Sequence, residues 1–266
     1  MLVLISIVLI PSVALCVVTS TSNAATTISL GSAGSYGVLA GAGISNSGTT
    51  TIIGDQGSSP SSAYFGFNKV TVTGATHLGD TAAATAQVDA KDSYRNLGLQ
   101  SSTQLIVGDL GGQVLTPGVY TTGESIGMTG KLTLDAKGDP NAIFIFKAGS
   151  TLTTSSASSM SMINGGSQCN VYWLVGSSAT LGANSTFLGT VLASSNIAAG
   201  SGATIFGRLL ALNGTAGLNN NLITVSTCFQ RSGITSLPSA GPHSLAQVPI
   251  WPKGAVNTGD GSLKKL

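Results

Sequence analysis

Gly176-Ser-Ser-Ala-Thr180-Leu-Gly-Ala-Asn-Ser-Thr186-Phe-Leu-Gly189-Thr-Val-Leu192 is followed, at a spacing of 18, by Ser194-Ser-Asn-Ile-Ala198-Ala-Gly-Ser-Gly-Ala-Thr204-Ile-Phe-Gly207-Arg-Leu-Leu210. Another 18 residues bring Leu222-Ile-Thr-Val225, and upstream Ser150-Thr-Leu-Thr153 to Met162 matches the stretch from Ser177 with a longer connection of 27. A period near 18 is too short for a helix pair but suits one turn of a β-solenoid, with three short strands and three corners. Each strand then stacks on its equivalent about 4.8 Å away, and alternate side chains point in and out. That alternation sends Leu152, Leu181, Phe187, Ile197 and Ile205 inward, and Thr, Ser, Gly and Ala outward.

The rest of the chain from Thr26 to Cys228 has the same texture, Ser, Thr, Gly, Ala and Asn broken by short aliphatic and aromatic stretches. Charged residues make up 8% of the chain, against roughly a quarter in an ordinary domain, and the formal net charge is +2. Nucleic-acid binding is excluded on that ground, since it needs a basic face to neutralise phosphates. A surface made soluble by hydroxyls and amides is expected to be flat and neutral.

Residues 1–25 open with Met1 to Val18, free of charged side chains and mostly aliphatic, and end in Ser22-Asn-Ala-Ala25. This reads as a secretory signal with a small-residue cleavage site, so the mature protein is expected outside the cell. A membrane anchor is the alternative, against which Pro11 argues. Once Cys16 leaves with the leader, Cys169 and Cys228 remain, and an even pair in an exported chain predicts a disulfide. His77 and His243 are the only histidines, so neither a metal site nor a thiol nucleophile has partners nearby. Asn184-Ser-Thr186 and Asn213-Gly-Thr215 are glycosylation sequons, or simply turns.

Between Asp80 and about residue 98 the chain is Ala-rich and free of Gly and Pro until Gly98, with Asp80 placed to cap it. It reads as the one α-helix, with Gly98 as its stop. Val88, Tyr94 and Leu97 are its larger apolar side chains, and its small Ala face predicts close packing on a flat partner. After it come strand patterns at Val119-Tyr-Thr-Thr122, Lys131-Leu-Thr-Leu134 and Ala142-Ile-Phe-Ile-Phe146. Residues 229–266 lose the repeat and gather Pro238, Pro242, Pro249, Pro252, Trp251 and Lys264-Lys265; they read as a loosely ordered tail.

Further motifs occur in a characteristic order: Leu30-Gly-Ser-Ala-Gly-Ser-Tyr-Gly-Val-Leu-Ala40, Ile53-Gly-Asp-Gln-Gly-Ser-Ser-Pro60, Thr76-His77, Asp109-Leu-Gly-Gly112, Leu115-Thr-Pro-Gly-Val-Tyr120, Gly138-Asp-Pro-Asn-Ala-Ile-Phe-Ile-Phe146, Cys169-Asn-Val-Tyr-Trp173 and Asn219-Asn-Asn-Leu-Ile223. Through them residues 26–228 resemble the microbial ice-binding proteins. The resemblance implies an all-β fold with one long helix: a right-handed, discontinuous parallel β-solenoid of triangular section, the helix packed alongside and the N-terminal strands completing the stack. It implies adsorption to an ice surface, restraint of crystal growth and recrystallisation, and no cofactor, metal or small-molecule substrate; a monomer is expected.

An ice-contacting face favours a rigid array of small hydroxyl and methyl groups, and Thr supplies both on one stiff χ1. The outward register of one face selects Thr151, Thr153 and Ser155, then Ser178, Thr180 and Gly182, then Asn196, Ala198 and Gly200; Gly43 and Ser45 flank inward Ile44, and Gly214 and Ala216 continue the column. Catalysis is not expected. Glycoside chemistry needs two carboxylates at a set separation, whereas Glu124 is the only glutamate and Asp135 and Asp139 read as Asx-type turn caps. A carbohydrate-binding or adhesive solenoid is the competing class; it calls for exposed aromatic platforms, and Trp173 reads as inward-facing.

Overall fold

The structure, a computed structural model, describes residues 25–226. The expected leader except for its last residue, Cys228 and the tail lie outside the described residues.

The described chain is a parallel β-solenoid with one α-helix along its side. Complete coils contribute one strand to each of three faces, which gives the coil its triangular section. The first face runs, rung by rung, through Gln104–Leu105, Gly118–Thr122, Phe144–Ala148, Val171–Val175, the second halves of Thr186–Ala193 and Thr204–Ala211, Tyr36–Ala40, Asp55–Ser58 and Thr76–Leu78. The second is a separate seven-stranded sheet in the order Ile126–Met128, Leu152–Thr154, Ala179–Leu181, Ile197–Ala199, Thr215–Leu218, Gly43–Asn46 and Tyr64–Phe65. The third runs from Val114–Leu115 through Lys131–Asp135 and Ser159–Ile163 to Leu222–Thr224, Thr50–Ile53 and Val70–Val72.

The 18-residue period is real pairing: Thr186 lies against Thr204 and Thr204 against Leu222. The 27-residue offset is real too, setting Leu152 beside Ala179 and Ser159 beside Thr186. Rungs do not follow chain order, however. Val38 pairs with Leu209, Ile44 with Ala216 and Thr51 with Leu222, so the N-terminal coils stack on the C-terminal one.

That discontinuity gives the helix its task. The chain leaves the stack at Thr76–Leu78 and re-enters at Gln104–Leu105, at the opposite ends of the first face. Eight rung spacings span about 38 Å, and the 19-residue helix Thr81–Leu99 covers about 28 Å of it. Asp80 caps it as expected, its Oδ1 accepting from the Ala83 amide at 2.8 Å. Ala83, Ala86, Gln87, Ala90, Ser93 and Leu97 are buried against the first face, among Tyr36, Leu39, Ile145, Tyr172 and Leu210. Small side chains at three- and four-residue spacing let the helix backbone approach the sheet closely. Val88, expected on this face, is 58% exposed, because it falls one position past the buried stripe. Gly98 is not the stop either. The helix runs to Leu99, and Lys147 on the first face donates its Nζ to the carbonyls of Gly98 (3.2 Å) and Gln100 (2.7 Å), binding the C-terminus to the sheet.

Inside the coils, Leu152, Leu181, Phe187, Ile197 and Ile205 are all buried, as the alternation requires. Trp173 is also internal, its Nε1 donating to the Leu188 carbonyl at 3.0 Å. It stands in an aromatic ladder, 4.0 Å from Phe146 and 5.2 Å from Phe187 between centroids, with Tyr120 continuing the stack. The strand expected at 142–146 is Phe144–Ala148, since the turn before it is prolonged by Asp139, whose Oδ1 accepts from the Asn141 amide. Asp135 likewise accepts from the Lys137 amide at 2.9 Å, so both aspartates are the Asx turns expected of them.

Candidate functional site: the second face

The helix covers the first face, which leaves two open. On the second, strand register defines three outward columns. The central one reads Gly127, Thr153, Thr180, Ala198, Gly217, Ser45 and Phe65. Two residues earlier on each strand lies a column of Ser125, Thr151, Ser178, Asn196, Thr215 and Gly43, and two residues later one that includes Ser155, Gly182 and Gly200. Outward neighbours along a strand are about 6.6 Å apart and rungs about 4.8 Å apart, so the groups form a two-dimensional array.

The early column is tied together. Thr151 donates its Oγ1 to Ser125 Oγ at 2.8 Å, the Asn196 amide donates to Ser178 Oγ at 3.3 Å, and Asn196 Oδ1 accepts from both the amide (2.8 Å) and the hydroxyl (3.2 Å) of Thr215. These bonds restrict the side chains to one arrangement. In the late column Gly182 and Gly200 are steric necessities: a Cβ on Gly182 would lie 2.3 Å from the Ser155 carbonyl, and one on Gly200 2.7 Å from the Leu181 carbonyl. At those two positions the face presents only backbone.

One expectation fails. Ala216 is fully buried, and it is Thr215 and Gly217 that face outward, with Gly214 at the preceding corner. Ile197 pairs with Ala216 across 19 residues, where the neighbouring rungs are separated by 18. The extra residue in the turn after Leu212 slips the register by one, and a one-residue slip exchanges inside for outside. Leu218 held the signal, because as the strand's largest apolar residue it belongs inside, and Ala216 shares its parity. Gly43 keeps the outward register opposite Thr215 but is buried, the Cβ it lacks falling 2.8 Å from the Ala63 carbonyl, so it adds only backbone. Ser125 extends the face by a rung that the repeat, read from Ser150 onward, does not reach.

No charged side chain interrupts these columns between their ends. At one end Asp109 forms a bridge with Gly127, and its Oδ1 accepts from the Gly111 and Thr129 amides at 2.5 and 2.8 Å. Burial pushes this carboxyl up, but those N–H groups outweigh it and hold it below the usual carboxylate range. The third face differs. Its columns carry Ser159, Thr186, Thr204, Thr51 and Thr71, but also Lys131, Leu222, Phe206 and Ile53, with Leu222 39% and Ile53 42% exposed. Side chains so unequal in length do not make a plane.

The family model described as "Ice-binding-like" matches residues 38–224. The chain belongs to the ice-binding-like family. The matched span begins within Tyr36–Ala40 and takes in every later strand to Leu222–Thr224. Among its ice-binding-like relatives is the "Ice-binding protein" of Nostoc sp. (strain HG1), 40% identical over 227 residues, which cover 85% of this chain and 84% of the relative. The crystal structure of an ice-binding protein from the Antarctic ascomycete Antarctomyces psychrotrophicus superposes with a TM-score of 0.74 at 37% identity, covering 76% of this chain and 99% of that one. An ice binding protein from an Antarctic biological consortium has the same TM-score at 36% identity, covering 82% and 96%. The parallel solenoid with a helix packed alongside and N-terminal strands completing the stack, expected of a family member, is the fold observed.

Proposed function

We propose that the chain is a secreted, monomeric ice-binding protein that adsorbs to ice through the second face and restrains ice growth and recrystallisation. Family membership supports the activity. The observation that supports the face is an uncovered sheet whose hydroxyl, methyl and glycine positions repeat in register and carry no charge between Asp109 and Phe65. Charged groups orient water around themselves. Small hydroxyls and backbone groups can hold waters in fixed places, while neighbouring methyls favour release of disordered ones. The columns become richer in Gly and Ala from Ala198 onward, so the strongest anchoring falls on Thr151, Thr153, Ser155, Ser178 and Thr180, assisted by Asn196, Thr215 and Ser45. Adsorption of this kind needs no catalytic group and no cofactor. A Cys169–Cys228 disulfide, in keeping with export, would tie the chain following Leu222–Thr224 to the turn before Val171–Val175. Asn184 and Asn213 lie exposed at corners, where a glycan would stand beside the face.

The test is ice-crystal shape, thermal hysteresis and grain growth for the full chain beside a Thr153→Tyr, Thr180→Tyr variant of matched circular dichroism. Faceting and slow grain growth that the double variant loses are expected. Equal activity in both would move the contact to the third face, and unchanged grain growth with micromolar wild-type protein would sink the ice reading.

A further inference from the structure

The central column of the second face ends in a side chain unlike the rest. After Thr153, Thr180, Ala198, Gly217 and Ser45 comes Phe65, 69% exposed and in register with Ser45. The backbone there is ordinary lattice: Ile44 pairs with Tyr64 and Ser45 with Phe65 in parallel. The inward residue of the same strand is anchored as well, since Tyr64 donates its hydroxyl to Gln56 Oε1 at 2.9 Å and Gln56 Nε2 donates to Thr76 Oγ1 at 3.0 Å. The rung therefore continues the backbone register of the central column, but its ring stands well above the height of a Ser or Thr. Phe67 does not share the position, because Gly66, at φ +74, turns the chain round the corner toward the third face.

We propose that Phe65 sets the extent of the ice-contacting plane: its ring stops a flat crystal face at the Ser45 rung and leaves the Tyr64–Phe65 rung unused. This rests on the second face being the contact surface. A rigid plane laid on an array cannot bend round a single tall side chain, so the ring excludes its own rung and weakens contact at the next. Thr at position 65 restores the height and chemistry of Thr153 and Thr180. Val does the same for height and for strand propensity without the hydroxyl.

The full-length protein is compared with Phe65→Thr, Phe65→Val and Thr180→Tyr, each checked by circular dichroism and Tm. Phe65→Thr is expected to raise hysteresis and to halve, to about two-fold lower, the concentration that stops grain growth, a change of about 0.4 kcal/mol. Phe65→Val is expected to lie between it and wild type. Because Phe65 is exposed, neither variant should unfold the protein. If Thr180→Tyr loses activity while both Phe65 variants stay at or below the wild type, the inference about Phe65 is overturned and the face stands. If Thr180→Tyr keeps full activity, the face itself is misassigned and Phe65 has no such role.

Discussion

Ala216 and Thr215 are adjacent and have opposite fates, one sealed in the core and the other on the open face. The register argument predicts that Ala216→Asn buries an amide with no partner and overfills the coil, costing about 2–5 kcal/mol and lowering Tm. Thr215→Val should leave chemical stability within about 1 kcal/mol while reducing ice activity, since it removes only a partly exposed hydrogen bond. Asp135 is a second informative residue. The Lys137 ammonium, then the Asn164 amide at 2.6 Å and the Lys137 N–H, all bind its charged form and hold its carboxyl down to about 2. A carboxyl lowered on folding contributes stability above its unfolded value and loses it as pH falls through the folded one. Asp135→Asn should therefore lower Tm at pH 7 and flatten the fall of Tm between about pH 4 and pH 2, which a calorimetric pH series would show.

The helix Thr81–Leu99 is held by attachments at its ends as much as by its buried alanines. At the first turn, Asp80 also meets His77 Nδ1 at 2.7 Å, and its carboxyl is held below the ordinary range chiefly by the Ala83 amide. Asp80→Ala should lower stability by the loss of the cap, measured by chemical denaturation, with the second face unaffected because the helix sits on the first. The second face illustrates what an element owes to its neighbours. Its strands are three or four residues long at most and could not persist alone. Stacking in register between the buried column and water gives them their rigidity, and an ice surface requires rigidity.

Across the whole molecule, the discontinuity of the stack shapes folding. The N-terminal coil docks on Leu209 to Leu218 and on Leu222–Thr224, so it must wait until nearly the entire solenoid has been assembled. Contacts this distant in sequence slow the search. Refolding monitored by Trp173 fluorescence is predicted to be slow, on the order of seconds or longer, with the Val38–Leu209 pairing protected from hydrogen exchange later than Thr190 to Ala193. The exposed faces are sorted at the same scale: the helix closes the first, side chains of unequal length break up the third, and the second is left regular.

The periodicity of Thr180-Leu-Gly and its copies was enough to read a solenoid and its inward residues, because coils of 18 residues meet the same environment and must repeat the same alternation, and the Ala-rich stretch after Asp80 was enough to read the helix. Composition alone pointed to a surface with few charges. What sequence could not supply was any fact that depends on which rung lies beside which: the 19-residue step that reverses Gly214 and Ala216, the seating of residues 36–53 against the C-terminal coil, the placing of Phe65 at the end of the Thr153–Thr180 column, and the choice of face under the helix. Those are contacts between residues far apart along the chain, and hydrogen-bond register across a parallel sheet decides them only when the coils close on one another.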